Sequence, residues 1–339
     1  MNNFALKFIK KNNLKFSKEQ IGSVNKNDIL IKIHSCGICG SDLKILKKGS
    51  NRVKKNTVLG HEMAGEITHV NSNKYFKKGQ KIILGADIPN KLKKDFAFGH
   101  EINGGFQKYL KIKSDLLRKA PHYLTKNKID YNSTCLAEPL ACCLNGFEKI
   151  NFKIGQNVVI FGAGSIGNII AKLCVYYKSD KIFLIDKNKF KLSKSVKNKN
   201  IYKLNLKDYK RKISSILKKG DSINYSFVAC NSSKAQEDAI SITSKNGSIN
   251  FFSGLEKKNL KDPSVKINTN LIHYKQLKIV GSHGSEKRHV IKAAKLIIDK
   301  KIVLNDIITH VYSLGKTKQA FNIMKTGKSI KIIIKPQNV

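Results

Sequence analysis

Two groups of residues in this chain have types and spacing suited to chemistry. The first is Gly162-x-Gly164-x-x-Gly167, followed 24 positions after Gly162 by Asp186. Glycines at this spacing permit a tight turn, a close approach of a pyrophosphate to the backbone, and packing of a helix on a strand. A carboxylate about twenty residues on accepts hydrogen bonds from ribose hydroxyls and repels a 2′-phosphate, which favours NAD over NADP. Lys187, Lys189 and Lys191 nearby weaken that preference. The second group is dispersed: Cys39 in CGICGSD, His61 in LGHEMAGEI and Glu138 in LAEPLA. A thiolate, an imidazole and a carboxylate from separate segments are the donors of a zinc site that keeps one position open, whereas a structural zinc is filled by four protein ligands. Taken singly, a cysteine is usually a small buried hydrophobe and a histidine a hydrogen-bonded framework residue.

The surrounding pattern predicts elements able to hold both groups. Residues 29–36 alternate apolar and polar positions, as a half-buried strand does, and short β-like runs with glycine turns continue to about residue 120. From residue 157 the pattern changes. VVIF is a continuous apolar run, GAGSIG a turn, NIIAKLCVYY a helical stretch and IFLID a second apolar run. NYSFVAC, SKAQEDAISIT, SINFFSG and LKIVGS repeat the alternation, which predicts a parallel sheet covered by helices on both faces. A helix over 289–301 and a terminal strand in IKIIIKP follow. The fold class expected is therefore α/β, a β-rich domain joined to a doubly wound parallel sheet.

Composition narrows the function classes. With 339 residues, 41% of them hydrophobic, the chain has material for about two packed domains, which excludes a disordered tail or a small disulfide scaffold. Seven cysteines without framework spacing suit a reducing, cytoplasmic setting. The N-terminus lacks a continuous apolar segment and cleavage site, and the most apolar stretch, 158–177, is broken by three glycines and Lys172, so neither export nor a membrane span is expected. The net charge of +42 raises the question of polyanion binding. The lysines are scattered, however, only four arginines occur, and no basic run is interleaved with stacking aromatics, so no specific nucleic-acid partner is expected.

The motifs GICGSD, GHEMAGEI, AEPLACCLNGFE, VVIFGAGSIGN and LIHYKQLKIVGSHGS resemble those of the zinc-dependent medium-chain dehydrogenase/reductase superfamily, from about residue 25 to the end. AEPL with Glu138, where many alcohol dehydrogenases carry a third-ligand cysteine, makes the chain most similar to the sorbitol (polyol) and threonine dehydrogenases. The resemblance implies a GroES-like catalytic domain over 1–139 completed by 285–339, with a Rossmann domain over 140–284 between them and a cleft where the two meet. It implies Cys39 and His61 as zinc ligands, with Glu62 and Glu138 as carboxylates that bind the metal or exchange with its water, in an order left open. Ser41 matches the hydroxyl that passes the substrate proton outward, and Asp42 an acid that orients the site. Gly162, Gly164, Ser165, Ile166 and Gly167 would line the pyrophosphate, Asp186 and Lys191 the adenosine ribose, and Cys230, Gly254 and Ser282 later approaches to the cofactor. The implied activity is oxidation of a secondary alcohol of a polyol, sugar derivative or 3-hydroxy amino acid by NAD, in a homodimer or homotetramer.

Two departures from the family pattern stand out. The stretch ADIPNKLKKDFAFGHEINGGF holds no cysteine where many members carry four for a structural zinc, so a single catalytic zinc is expected. Lys44 stands where many members have the histidine that ends the proton relay. Other motifs take plainer readings. Cys36-x-x-Cys39 is expected to straddle the end of a strand rather than open a helix, which speaks against a redox pair. Cys142 and Cys143 are expected to pack on the helix after Glu138, and His273 and His283 to belong to the framework of the last Rossmann strand. His100 is read as a turn residue with a place at the substrate pocket as the alternative. Two competing functions remain: a zinc-independent, quinone-type reductase of the same superfamily, opposed by the retention of Cys39, His61 and Glu138, and a non-catalytic polyanion binder on this fold.

Overall fold

A computed structural model describes residues 1–71, 73–89, 96–255 and 263–339. The chain divides into two compact units, residues 1–141 with 284–339, and residues 142–283. Part of the cysteine-free stretch, residues 90–95, lies outside the described residues.

In the first unit, strand Asp28–Gly37 is the organiser. Its Ile29, Ile31 and Ile33 are fully buried, the period-2 pattern of a strand that turns one face to a core. It pairs antiparallel with Glu62–Val70 on one side. On the other it meets Tyr109–Lys113 at its start and Lys331–Lys335 at its end. Those pairings build a seven-stranded sheet that runs out to Ile308–Ser313 on one edge and His122–Thr125 on the other. The C-terminal strand thus enters a sheet begun by the N-terminal segment. Phe76, Phe98, Phe106 and Phe321 fill the core beside it. An N-terminal hairpin, Asn2–Lys10 with Asn13–Gln20, was not legible in a segment so rich in lysine.

In the second unit, six parallel strands stand in the order Ile201–Asn205, Ile182–Asp186, Val158–Phe161, Tyr225–Val228, Ser248–Phe251, Lys278–Gly281. In chain order within the unit this is 3-2-1-4-5-6, the doubly wound order that binds dinucleotides where the strand sequence reverses. Val158–Phe161 and its neighbours are buried on both faces, which is why they read as unbroken apolar runs. Strand Ile201–Asn205 escaped the sequence reading because Lys203 and polar ends interrupt it.

Two expectations are corrected. Cys36 ends strand Asp28–Gly37, but Cys39 is the N-cap of helix Gly40–Lys48, so the pair does sit at a strand-to-helix junction. Cys36 is nonetheless fully buried, and that burial, with Asp42 nearby, pushes its thiol well above the ordinary range, which leaves it unsuited to redox exchange. His273 lies in helix Thr269–Lys275 and is exposed, rather than in the last strand. His283 is also exposed, two residues past Lys278–Gly281, where its carbonyl accepts from Asn145.

Candidate active site

Two segments of the first unit converge. Cys39 caps the helix that follows strand Asp28–Gly37; His61 precedes, and Glu62 opens, strand Glu62–Val70. Because Gly37 and Glu62 are register partners in the antiparallel pair, the ends of both strands reach the same point. Gly60 makes the turn into His61 at φ +90, where a Cβ would strike Cys36 and Phe106. One ligand atom each from Cys39, His61 and Glu62 then lies within 4.8 Å of the others. His61 and Glu62 are buried and Cys39 half-buried.

Asp42 ties this arrangement together. It is fully buried, its Oδ2 accepts from Cys39 N–H at 2.9 Å, and its Oδ1 accepts from Gly60 N–H at 3.2 Å. Oδ1 also lies 3.5 Å from His61 Nδ1. One carboxylate thus fixes the backbone on both sides of the cluster and faces the imidazole. Burial works against charge on both groups, yet Asp42 and then Cys39 hold the His61 pKa well above the usual histidine range. Burial likewise opposes charge on Asp42, but His61 keeps its carboxyl below the usual range. Ser41, half-buried, puts its hydroxyl 3.5 Å from His61 Nε2.

Lys331 is the participant that sequence reasoning missed. Only 2% exposed, it opens strand Lys331–Lys335, donates to the Ile38 carbonyl at 3.0 Å and to Glu62 Oε1 at 2.6 Å, and lies 2.6 Å from Oε2 as well. Burial disfavours its charge, but the Glu62 and Cys39 charges raise its pKa above the ordinary lysine value. In a chain with so many scattered lysines, nothing in its local sequence distinguishes this one; only the pairing of the last strand with Asp28–Gly37 brings it in.

The donor set suits a divalent metal. A thiol, an imidazole and a carboxylate that each offer an atom within 4.8 Å of the others are zinc's ordinary ligands. Of the four metal candidates the structure brings together Cys39, His61 and Glu62. Glu138, buried in the first turn of helix Ala137–Lys149, stands outside that group of mutual neighbours. Lys44 is exposed on helix Gly40–Lys48. Cys142 and Cys143 lie on the helix that bears Glu138.

In the second unit the glycines divide their work. Gly162 turns the chain at φ +107, and a Cβ at Gly167 would run into the Gly162 carbonyl oxygen. At Gly164, the N-cap of helix Ser165–Tyr176, a Cβ would meet nothing within 4 Å, so the backbone there is open to a ligand. Ser165 and Ile166 form the first turn of that helix. Asp186 braces the loop, accepting from Ala163 N–H and Asn188 N–H, both at 2.8 Å, and each oxygen keeps a second lone pair for a hydroxyl. Lys191 lies in helix Lys189–Lys194. Half-buried Cys230 follows strand Tyr225–Val228, and burial, with Asp186 second, pushes its thiol to about 11. Ser282 follows Lys278–Gly281 and donates to Asn250 Oδ1 at 2.9 Å, while Gly254 is exposed beyond Ser248–Phe251.

Residues 25–122 match the alcohol dehydrogenase GroES-like domain family. Over 99% of both chains, the sequence is 25% identical to a sorbitol dehydrogenase of Bombyx mori. These similarities support the zinc-type medium-chain dehydrogenase family, on its sorbitol dehydrogenase-like branch. Its fold is shared with an alcohol dehydrogenase of Thermotoga maritima, at a TM-score of 0.88, 19% identity and 99% coverage of each chain. It is shared too with the 2R,3R-butanediol dehydrogenase of Bacillus subtilis, at a TM-score of 0.87 and 18% identity, covering 98% of this chain and 99% of that one. Among the described residues, no helix is long and apolar enough to cross a membrane.

Proposed function

We propose that this protein is a zinc- and NAD-dependent oxidoreductase of the cytoplasm that oxidises a secondary alcohol of a polyol or related sugar derivative. The observation that carries the reading is the convergence of Cys39, His61 and Glu62 within 4.8 Å, beside the Ser41 hydroxyl. Cys39 and His61 would hold a single zinc, with Glu62 or Glu138 as the carboxylate donor. A zinc ion held there supplies Lewis acidity that lowers the pKa of an alcohol hydroxyl, and the nicotinamide supplies the hydride acceptor.

The chain's own residues do the rest. Ser41 would relay the substrate proton, accepting it as its own hydroxyl proton passes outward to solvent. Asp42 keeps Cys39 and His61 in register through the two backbone N–H groups that it binds. Lys331 balances the Glu62 charge in its buried place. On the nucleotide side, Gly164 leaves room for the pyrophosphate and Asp186 presents a carboxylate to the ribose, which favours NAD. Purified protein loaded with zinc is expected to reduce NAD with sorbitol, xylitol or another polyol. A zinc-loaded, NAD-binding protein that oxidises no alcohol contradicts the reading.

A further inference from the structure

His100 lies in a turn of the first unit, and its ring centroid is 5.8 Å from that of His61. The turn is clamped. Glu101 receives Arg52 Nε at 2.6 Å and Nη2 at 3.1 Å, and its Oε2 also accepts from Ala97 N–H at 3.0 Å. On the far side, Gly104 N–H bonds to the Val58 carbonyl at 2.7 Å, Gly105 N–H to Gly60 at 2.8 Å, and Asn103 Oδ1 accepts from Val58 N–H at 3.0 Å. The segment that delivers His61 is therefore stitched to the one that delivers His100.

The imidazole is fixed as well. Its Nδ1 lies 3.2 Å from the Phe98 carbonyl, which can only accept, so Nδ1 carries the proton. In the neutral ring with its proton on Nδ1, Nε2 is the acceptor. It forms no hydrogen bond among the described residues, and it is not one of the atoms sealed away from solvent. His100 also stands outside the group of metal donors. A rigidly held, unused acceptor beside the metal cluster serves neither the fold nor the metal.

We infer that His100 is a specificity-determining residue that accepts a hydrogen bond from a second substrate hydroxyl, on the carbon next to the one oxidised, and so selects vicinal diols over simple secondary alcohols. This rests on the alcohol-oxidising reading above. The test compares 2,3-butanediol with 2-butanol, which share the reacting carbinol and differ in the neighbouring hydroxyl, in wild type, His100→Phe and His100→Gln.

Wild type is expected to prefer the diol in kcat/KM. In His100→Phe the loss of one hydrogen bond should lower kcat/KM for the diol about tenfold, with 2-butanol changed less than about threefold. His100→Gln, whose amide oxygen accepts, should recover much of the preference. Zinc content and NAD affinity, measured on the same samples, should match wild type. A wild type without diol preference overturns the inference, as does an equal loss on both alcohols with zinc retained, while the oxidoreductase reading survives either result. Loss of zinc in both variants would also overturn it, by assigning His100 to the metal. Failure of the wild type to oxidise any alcohol would overturn both readings together.

Discussion

The candidate metal cluster and the glycine loop are built by opposite means. The loop is local: Gly162, Gly164 and Gly167 fall within six residues, and the carboxylate that braces them ends the adjacent parallel strand. Backbone conformation does most of its work. The cluster is assembled from distant segments, Cys39, His61 with Glu62, and Lys331, and depends on side-chain charge in a buried place. A local site tolerates charge changes and fails on a methyl group. A dispersed site tolerates small changes of shape and fails when one charge is lost.

The largest effect should come from Cys39→Ser. Changing groups behind a metal ligand typically costs about 10–100-fold, and replacing the thiolate itself should cost turnover more than that. NAD binding, measured by nucleotide fluorescence, should be unaltered. Lys331→Met comes next. Removing one partner of a buried ion pair costs roughly 3–5 kcal/mol, so denaturant unfolding should show a loss of that order. The double variant Lys331→Met with Glu62→Gln should regain much of the loss, because no uncompensated carboxylate remains.

A pair of variants in the loop sharpens the contrast. Gly167→Ala forces a Cβ onto the Gly162 carbonyl, and overpacking of this kind costs about 1–3 kcal/mol of stability. Gly164→Ala has open space for its Cβ, so stability should hold while NAD affinity falls. Zinc content should survive both substitutions. If Gly164→Ala binds NAD normally, the backbone there does not face the pyrophosphate.

The smallest effect concerns His34, which lies on the same strand as Cys36 yet takes no part in the cluster. Its ring stacks on Tyr131 at 4.1 Å, and burial, aided by Lys32, lowers its pKa to about 4. The unfolded chain protonates this histidine first, so its contribution to stability is present above about pH 6.5 and is lost as pH falls toward 4. His34→Phe should therefore flatten part of the acid-side decline, read as urea midpoints at neutral and mildly acid pH. An unchanged difference between the two conditions would place the decline elsewhere.

What was legible follows the same division. The parallel sheet announced itself through short apolar runs, since strands buried on both faces leave no alternation to hide. The glycine loop and Asp186 were readable because spacing along the chain equals proximity in space there. Cys39, His61 and Glu62 stood out only through the motifs around them, and residue type alone left them ordinary. Lys331 was beyond such reading. Its role comes from a strand pairing across about 300 residues, which has no local signature.

The most direct test of the central claim is a cobalt(II) titration of the metal-stripped full-length protein, followed in the near-ultraviolet and visible. The account predicts one equivalent bound with a thiolate-to-cobalt charge-transfer band, and no such band in Cys39→Ser. A wild-type protein that binds no cobalt, or a Cys39→Ser protein with an unchanged band, would contradict it.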